Sequence, residues 1–275
     1  MKFIHLYILM VLILLLSTVS LKAQVTEPEL RQVERTVTTL NENYRAGLGF
    51  DFVINNFGFG IGGEYRRVLA SQTEGVATLR ISSLRDVSEQ TFTDFYWGQQ
   101  IVPNKYQRVM SFPLMLGIRQ RLFAGRVQEE YRFFLSATAG PVAAFSFPYF
   151  NDLNENGYRE TGIESQNVLP EPINDILTGW GDGEWHFGAA GEIKFGLDFG
   201  RNFARVSSIE FGYYFNYFPD GIQVMMPKQP RLRENRAPDQ NPFIFENGQL
   251  VLDPFFDPQS FFGSPQITLT FGKLW

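Results

Sequence analysis

The chain has 275 residues, no cysteine and a net charge of −5, and it contains 28 phenylalanines and 25 glycines. The acidic balance argues against a nucleic-acid partner, and the absence of cysteine excludes disulfides and thiolate metal sites. A mean hydropathy of −0.14 excludes a helical membrane protein with several spans. So much phenylalanine and glycine suits one large β domain.

The N-terminus has the pattern of a secretory signal peptide over residues 1–23. Lys2 supplies a positive start, residues 3–16 are nearly all apolar, and Ala23 ends a plausible cleavage site. The alternative is an uncleaved anchor helix, for which the apolar run is short. No later stretch is long and apolar enough for a transmembrane helix. A mature chain in a membrane must therefore cross it as a closed barrel.

Residues 24–43 are polar, with apolar residues at helical spacing. Thr26 and Glu29 form a capping-box pattern at the start of this segment. Two interpretations stay open for it: a short amphipathic helix in the periplasm or against the barrel end, and a disordered lead-in.

From residue 44 onward, eight segments alternate between apolar and polar side chains, which is typical of strands with two unlike faces. Residues 184–200 are the clearest case, because the odd positions are almost all apolar and the even positions hold every charge. This segment is longer than an ordinary strand. Pro113 cannot donate to a ladder, so we expect a bulge or break there. The predicted strands are residues 44–54, 57–69, 76–84, 106–123, 130–147, 184–200, 206–218 and 264–275.

The lengths of the connections are sorted. The connections after the second, fourth and sixth strands are short, whereas those after the third, fifth and seventh are long. Short turns on one rim and long loops on the other are typical of outer-membrane barrels. We therefore predict an all-β fold over residues 44–275: an eight-stranded antiparallel up-and-down transmembrane β-barrel with short periplasmic turns and long outer loops. A secreted β-sandwich is the alternative, but that fold does not require short connections on one side and long connections on the other.

Charged residues fall on the polar face of the predicted strands. An eight-stranded barrel is just wide enough to be filled by side chains, and enclosed charges must pair. We predict an ion-pair network that plugs the lumen; the alternative is a narrow path for ions, with a small positive excess favouring anions. The predicted members are Arg45, Asp51, Glu64, Arg66, Arg80, Arg119, Arg121, Arg132, Glu192, Lys194, Asp198 and Glu210.

The long connection after the fifth strand contains D-x-N-x-N-G, the first half of a calcium loop. The bidentate glutamate of such a loop belongs at the twelfth position, which is Ile163 here, one residue before Glu164. An ordinary Asn/Gly-rich surface turn is the alternative. The candidate Ca²⁺ ligands are Asp152, Asn154, Asn156, Tyr158, Glu160 and Glu164, and no other cofactor is predicted.

Support for catalysis is thin. Beyond residue 23 the sequence has one histidine, His186, and it has neither a G-x-S-x-G nor an H-E-x-x-H motif. We interpret His186 as a hydrogen-bonding residue of the lumen near the outer rim. The chain is accordingly predicted not to be an enzyme, with an outer-membrane lipid-modifying enzyme as an alternative.

Several sequence segments in the predicted strands together resemble the PorT-like outer-membrane β-barrel family. They are FPLMLGIRQRL (residues 112–122), SATAGPVAAF (136–145), FGAAGEIKFGLDF (187–199), IEFGYYFNYF (209–218) and ITLTFGKLW (267–275). The resemblance spans residues 44–275 and implies a barrel in the outer membrane of a Gram-negative bacterium. One member type is linked to a secretion system, so a role as a component of such a system is a further alternative.

The expected role is structural or binding, through the long loops of residues 148–183 and 219–263. The expected partners are outer-membrane lipid, an extracellular or periplasmic protein, and the barrel-assembly machinery. This machinery reads strands that end on an aromatic residue, as Trp275 does here. Lys273 lies on the outward face of the last strand, where its side chain could snorkel to the membrane interface.

Overall fold

The computed structural model describes residues 37–93, 100–128, 130–165, 169–200, 203–234, 237 and 240–275. The predicted signal peptide and residues 24–36 lie outside these ranges. Of the predicted helical segment, the last turn is seen as helix α1 (Leu40–Asn43), whose Leu40 is buried at one end of the barrel. In the described part of the chain, no helix is long and apolar enough to cross a membrane.

Eight antiparallel strands close into a barrel, which confirms the predicted fold class. Each strand pairs with its neighbours along the chain, and the last strand pairs with the first. The strands are β1 (Ala46–Asn55), β2 (Gly58–Ala70), β3 (Thr73–Leu84), β4 (Gln107–Arg121), β5 (Tyr131–Pro148), β6 (Glu184–Phe199), β7 (Arg205–Ile222) and β8 (Gln259–Leu274).

Backbone pairing between the strands is irregular beside Pro113 and near Gln259. Beside Pro113, the pairing of β3 with β4 is interrupted between Leu79↔Leu114 and Ser82↔Ser111 and resumes without a register shift. The predicted break is therefore present. β7 and β8 extend beyond their predicted ends, with a bulge near Gln259. The sequence prediction ended the seventh strand at Phe218, before Pro219, whereas backbone pairing continues to Ile222.

The two rims differ as predicted. Turns 71–72, 122–130 and 200–204 lie on the short-turn rim, which also holds both ends of the barrel. The opposite, long-loop rim carries the tight turn 56–57 and the loops 85–106, 149–183 and 223–258. In an up-and-down barrel alternate connections fall on the same rim, and the even number of strands places both ends of the barrel on one rim.

The two faces of each strand are inverted relative to a water-soluble barrel. On β6, Glu192 and Lys194 are each 1% exposed, while Ile193 between them is 59% exposed. The same alternation runs around the barrel, so charges face inward and a belt of leucine, isoleucine and phenylalanine faces outward. An apolar band with a polar interior is the arrangement of membrane barrels.

The interior is layered along the barrel axis. Toward the long-loop rim it is filled by an apolar cluster that includes Phe57, Val142, Phe218 and Phe262. Buried charged side chains lie in the middle. Toward the short-turn rim, Leu40 of α1 packs with Phe203, Val206 and Leu274.

The long loops fold together above their rim. They contain three short strand pairs and one 3-10 turn: Phe92–Thr93 with Gln100–Ile101, Lys228–Pro230 with Leu252–Pro254, Phe245–Glu246 with Gln249–Leu250, and Trp180–Asp182. Tyr149, Phe150 and Met226 form a separate buried cluster there. We call the loops 85–106, 149–183 and 223–258 the outer-loop cap.

Candidate functional site: the lumen network and the outer-loop cap

Glycines on the inward face give the long charged side chains room to cross the lumen. Gly62 pairs with Arg80, and Gly212 pairs with Lys194. A Cβ on Gly62 would lie 2.5 Å from Cγ of Arg80, and one on Gly212 would lie 2.7 Å from Cγ of Lys194. Real Cβ atoms do not approach so closely, so the alternation of glycine and charge along these strands is a packing requirement.

Glu192 is the centre of the network. Its carboxylate accepts hydrogen bonds from both terminal nitrogens of Arg80, at 2.5 and 3.0 Å, and from Gln266 Nε2 at 2.8 Å. Thr138 Oγ1 donates at 3.2 Å, and Lys194 Nζ lies 3.1 Å away. Burial of a charge is tolerated only when its oxygens are satisfied in this way.

From Glu192 the ion pairs spread in both directions. Arg80 also reaches Asp51 at 3.5 Å, and Asp51 accepts a hydrogen bond from Thr270 at 2.7 Å. On the other side, Lys194 Nζ contacts Glu210 at 2.6 Å. The network therefore joins residues of β1, β3, β6, β7 and β8, which ties distant parts of the barrel wall together.

A second group lies closer to the short-turn rim and is organised by Arg119. This guanidinium contacts Asp198 at 2.6 Å, Glu74 at 3.5 Å and Glu210 at 3.6 Å, and it stacks on Phe134 with 3.3 Å to the ring centroid. Arg66 pairs with Glu64. Through Glu210 this group is continuous with the central one.

Three predicted members lie at the short-turn end. Arg132 is buried and donates to the Gly200 carbonyl at 2.6 Å. Arg121 is half-buried and donates to the Thr38 carbonyl, and both guanidinium groups pack on the ring of Phe203. Arg45 is exposed at the rim because β1 begins one residue later. Its placement in the lumen was wrong.

Glu74 is a network residue that the sequence prediction missed. The prediction began the third strand at residue 76 and left Glu74 in a turn, whereas β3 begins at Thr73. Glu74 lies at an even position, like the inward-facing Thr78 and Arg80, and this alternation could have placed its side chain in the lumen. Within the described residues, the internal ion pairs join six carboxylates to four cations, Arg132 adding a further buried cation. The positive excess suggested by the sequence was therefore wrong.

The cavity between the charged side chains and the short-turn rim is small. A cavity of about 20 Å³ lies at the short-turn end, lined by Arg66, Glu74, Arg119 and Phe203, among others. This volume holds about one water molecule. Above it lie the buried ion pairs and the buried apolar cluster.

His186 faces the lumen near the long-loop rim, as expected from its parity. Its Nε2 lies 2.9 Å from Oγ of Ser146, which is fully buried. A serine nucleophile must be reachable by its substrate, and this hydroxyl is covered on all sides. The geometry suits a hydrogen bond between two strands.

The candidate calcium loop is held by bonds within its own surroundings. Both Asp152 oxygens accept backbone N–H bonds, from Asn156 at 3.0 Å and Gly157 at 2.8 Å. Glu160 accepts from the amide groups of Asn154 and Asn156. In the ranges that the structure covers, no three acidic or histidine side chains form a metal-binding group. The three carboxylates predicted as ligands therefore do not converge.

Glu164 instead anchors the loop. It accepts hydrogen bonds from the Tyr158 hydroxyl at 2.7 Å and from the Thr161 hydroxyl and amide. Burial opposes its ionisation, but these hydrogen bonds outweigh burial and hold the pKa of the Glu164 carboxyl below its usual value. Burial, and then the bond to Glu164, raises the pKa of Tyr158. The pair is thus neutral tyrosine with charged glutamate at neutral pH.

The three long loops interlock. Tyr149 N donates to Tyr106, Asn174 N donates to Tyr149, and Met226 N donates to Asn104, which links all three loops by backbone bonds. Arg108 donates to the carbonyls of Asn174 and Asp175. The outer-loop cap is therefore a packed unit with its own core.

The Phe150→Ala variant is expected to loosen the cap and leave the barrel intact. Phe150 is 1% exposed, and removing a buried phenylalanine ring costs about 3–5 kcal/mol of local stability. Limited proteolysis of folded protein should cut the cap loops faster while the strands stay protected. Leu153→Ala, at a neighbouring exposed position, is the matched control and should be cut like the parent. Equal cutting in all three proteins would contradict a packed cap.

Comparison with solved structures finds similarity at TM-scores below 0.5. Neisserial surface protein A matches with 8% identity over 84% of this chain and 94% of its own, at a TM-score of 0.36. The N-terminal β-barrel domain of Pseudomonas aeruginosa OprF matches with 11% identity over 82% and 96%, at 0.30. Ail, the attachment invasion locus protein of Yersinia pestis, matches with 8% identity over 82% and 93%, at 0.31. No family model and no curated protein matches the chain.

Proposed function

We propose that this chain is an outer-membrane β-barrel protein with a plugged lumen, which acts as a structural or binding component through its outer-loop cap. The inverted barrel carries this proposal: consecutive residues such as Glu192, Ile193 and Lys194 are buried, exposed and buried. In water, such a surface would leave a continuous apolar belt uncovered, far beyond what soluble monomers expose. In a bilayer, the same belt is solvated by lipid.

The proposal includes export and insertion of the chain. Residues 1–23 would direct the chain out of the cytoplasm as a cleaved signal peptide. The amphipathic strand β8 (Gln259–Leu274) would then be recognised by the barrel-assembly machinery. The short-turn rim would face the periplasm, which puts the outer-loop cap on the cell surface.

The cap has the composition of a partner surface. Loop 149–183 exposes Leu153, Ile163 and Leu169, at 74%, 80% and 78%. These apolar side chains stand among several acidic residues of the same loop and are not needed for the buried core of the cap. An extracellular protein with apolar and basic surface is the partner that this chemistry favours.

A channel is the less favoured role. The buried ion pairs centred on Glu192 and the buried apolar cluster around Phe218 support a plugged lumen. Purified protein in planar lipid bilayers is therefore expected to give no conductance steps above the lipid baseline. Regular steps would instead support the channel alternative.

We also propose that the chain belongs to the PorT-like family. The quoted phrases of the PorT-like resemblance fall on β4 to β8, and FPLMLGIRQRL includes the ladder break at Pro113. A role in a secretion system would follow from membership in that family, with a periplasmic or surface protein as the partner.

The orientation of the cap can be tested by cysteine labelling, since the chain has no cysteine of its own. Leu153→Cys lies on the cap, and Arg126→Cys is the matched exposed position in a short turn. A membrane-impermeant maleimide is expected to label the cap cysteine on intact cells and the turn cysteine only after permeabilisation. Labelling of Arg126→Cys alone on intact cells would reverse the proposed orientation and remove the cap from the surface.

A further inference from the structure

The outward faces of the eight strands carry few charges, and all of them are positive. At the positions that alternate with the buried ones, no strand of the barrel has an aspartate or a glutamate. The charges there are Arg67, Arg108, Arg205 and Lys273. Arg108 lies at the long-loop rim and is bonded to the cap. The other three lie at the short-turn rim.

These three cations occupy one side of the rim. Arg205 of β7 and Lys273 of β8 are direct cross-strand partners, so their side chains stand next to each other on the outward face. Arg67 of β2 pairs with Ala46 of β1, the strand that separates β2 from β8. On the opposite side, β3 to β6 place uncharged residues such as Gln120 and Phe199 at this level.

An exposed tryptophan lies between the cations. Trp275 follows Lys273 by two residues, and its backbone N–H donates to the Ala46 carbonyl at 2.8 Å, beside Arg67. Its side chain is 53% exposed. Tryptophan at this level is typical of the membrane–water interface, so Trp275 marks the headgroup region.

We propose that Arg67, Arg205 and Lys273 form, with Trp275, a binding site for the phosphate of an anionic phospholipid in the periplasmic leaflet. Each of the three cations is exposed, and within the described residues no ion pair to a carboxylate satisfies any of them. Long basic side chains snorkel from the apolar belt to the headgroups, where each attracts anionic lipid. The ligand belongs to the membrane because the patch faces outward from the barrel wall.

The inference rests on the proposed membrane location, and one experiment separates the two. In a background with Trp97, Trp180 and Trp185 replaced by phenylalanine, Trp275 is the sole tryptophan and can be excited selectively. The full barrel is folded into vesicles of phosphatidylcholine with phosphatidylglycerol, and quenching by brominated forms of each lipid is compared. Phosphatidylglycerol is expected to be preferred at Trp275 by on the order of tenfold, and the preference should fall at high salt.

The variants locate the site. Arg67→Gln, Arg205→Gln and Lys273→Gln should each reduce the preference severalfold, and the triple variant should abolish it. Arg126→Gln, an exposed cation in a short turn, should leave it unchanged. Equal quenching by both lipids in the parent would overturn the lipid site and leave the membrane barrel standing. No quenching by either lipid would mean that the barrel is not inserted in the membrane, which would also contradict the proposed function.

Discussion

The Glu192→Met variant is expected to lose about 3–5 kcal/mol of stability, because it breaks a buried ion pair and leaves its partners uncompensated. Arg80 would keep only the 3.5 Å contact to Asp51, and Lys194 only Glu210. Urea unfolding in lipid vesicles, followed by fluorescence and gel mobility, measures the loss.

The control for this variant keeps every charge. Thr138→Val removes one 3.2 Å hydrogen bond to Glu192 and should cost only about 1 kcal/mol. The double variant Arg80→Met/Glu192→Met should be less destabilised than the sum of the two single variants, with a coupling energy of about 0.5–3 kcal/mol. Additive effects, or a loss at Glu192 no larger than that at Thr138, would contradict the ion-pair network as a stabilising element of the barrel.

The Ile193→Arg variant is expected to lose about 2–4 kcal/mol, the cost of placing arginine on the lipid face near the bilayer midplane. Ile193 is 59% exposed. If that face met water, arginine there would be nearly neutral, as surface substitutions usually are. The same unfolding measurement in vesicles applies.

The matched control is Ile163→Arg on the outer-loop cap, where the isoleucine is 80% exposed. We expect its stability to stay within about 0.5 kcal/mol of the parent. A large loss at residue 193 with none at residue 163 identifies the barrel wall as the lipid-facing surface. Equal, small effects at both positions would fit a secreted β protein and contradict a membrane barrel.

The barrel could be predicted from the sequence because its signal is local. Alternation in segments such as residues 184–200 follows from the period of a strand, and the inverted faces repeat in all eight segments. The sorting of loop lengths then gives the rims. Strand ends were less accurate, since β3 begins at Thr73 and β7 runs on to Ile222, where backbone pairing continues without an apolar pattern to mark it.

The sequence could predict which residues belong to the lumen network, but not which of them form ion pairs with each other. Parity placed Glu192, Lys194 and Arg80 inside, but which carboxylate meets which cation depends on strand register and side-chain length, neither of which is written locally. Arg45 was misplaced and Glu74 missed because both lie at strand ends, where parity does not say whether a side chain is enclosed. The cap was beyond prediction, because its core joins Tyr149, Phe150 and Met226 from separate loops.

The central claim is that the folded chain is a barrel embedded in the outer membrane. Its most direct test is gel migration of the full-length protein from fractionated cells, with and without heating in detergent. The account predicts that the protein stays in the outer-membrane fraction until detergent extracts it, and that the unheated form migrates differently from the heated one. Recovery in a buffer-soluble fraction, with the same migration before and after heating, would contradict it.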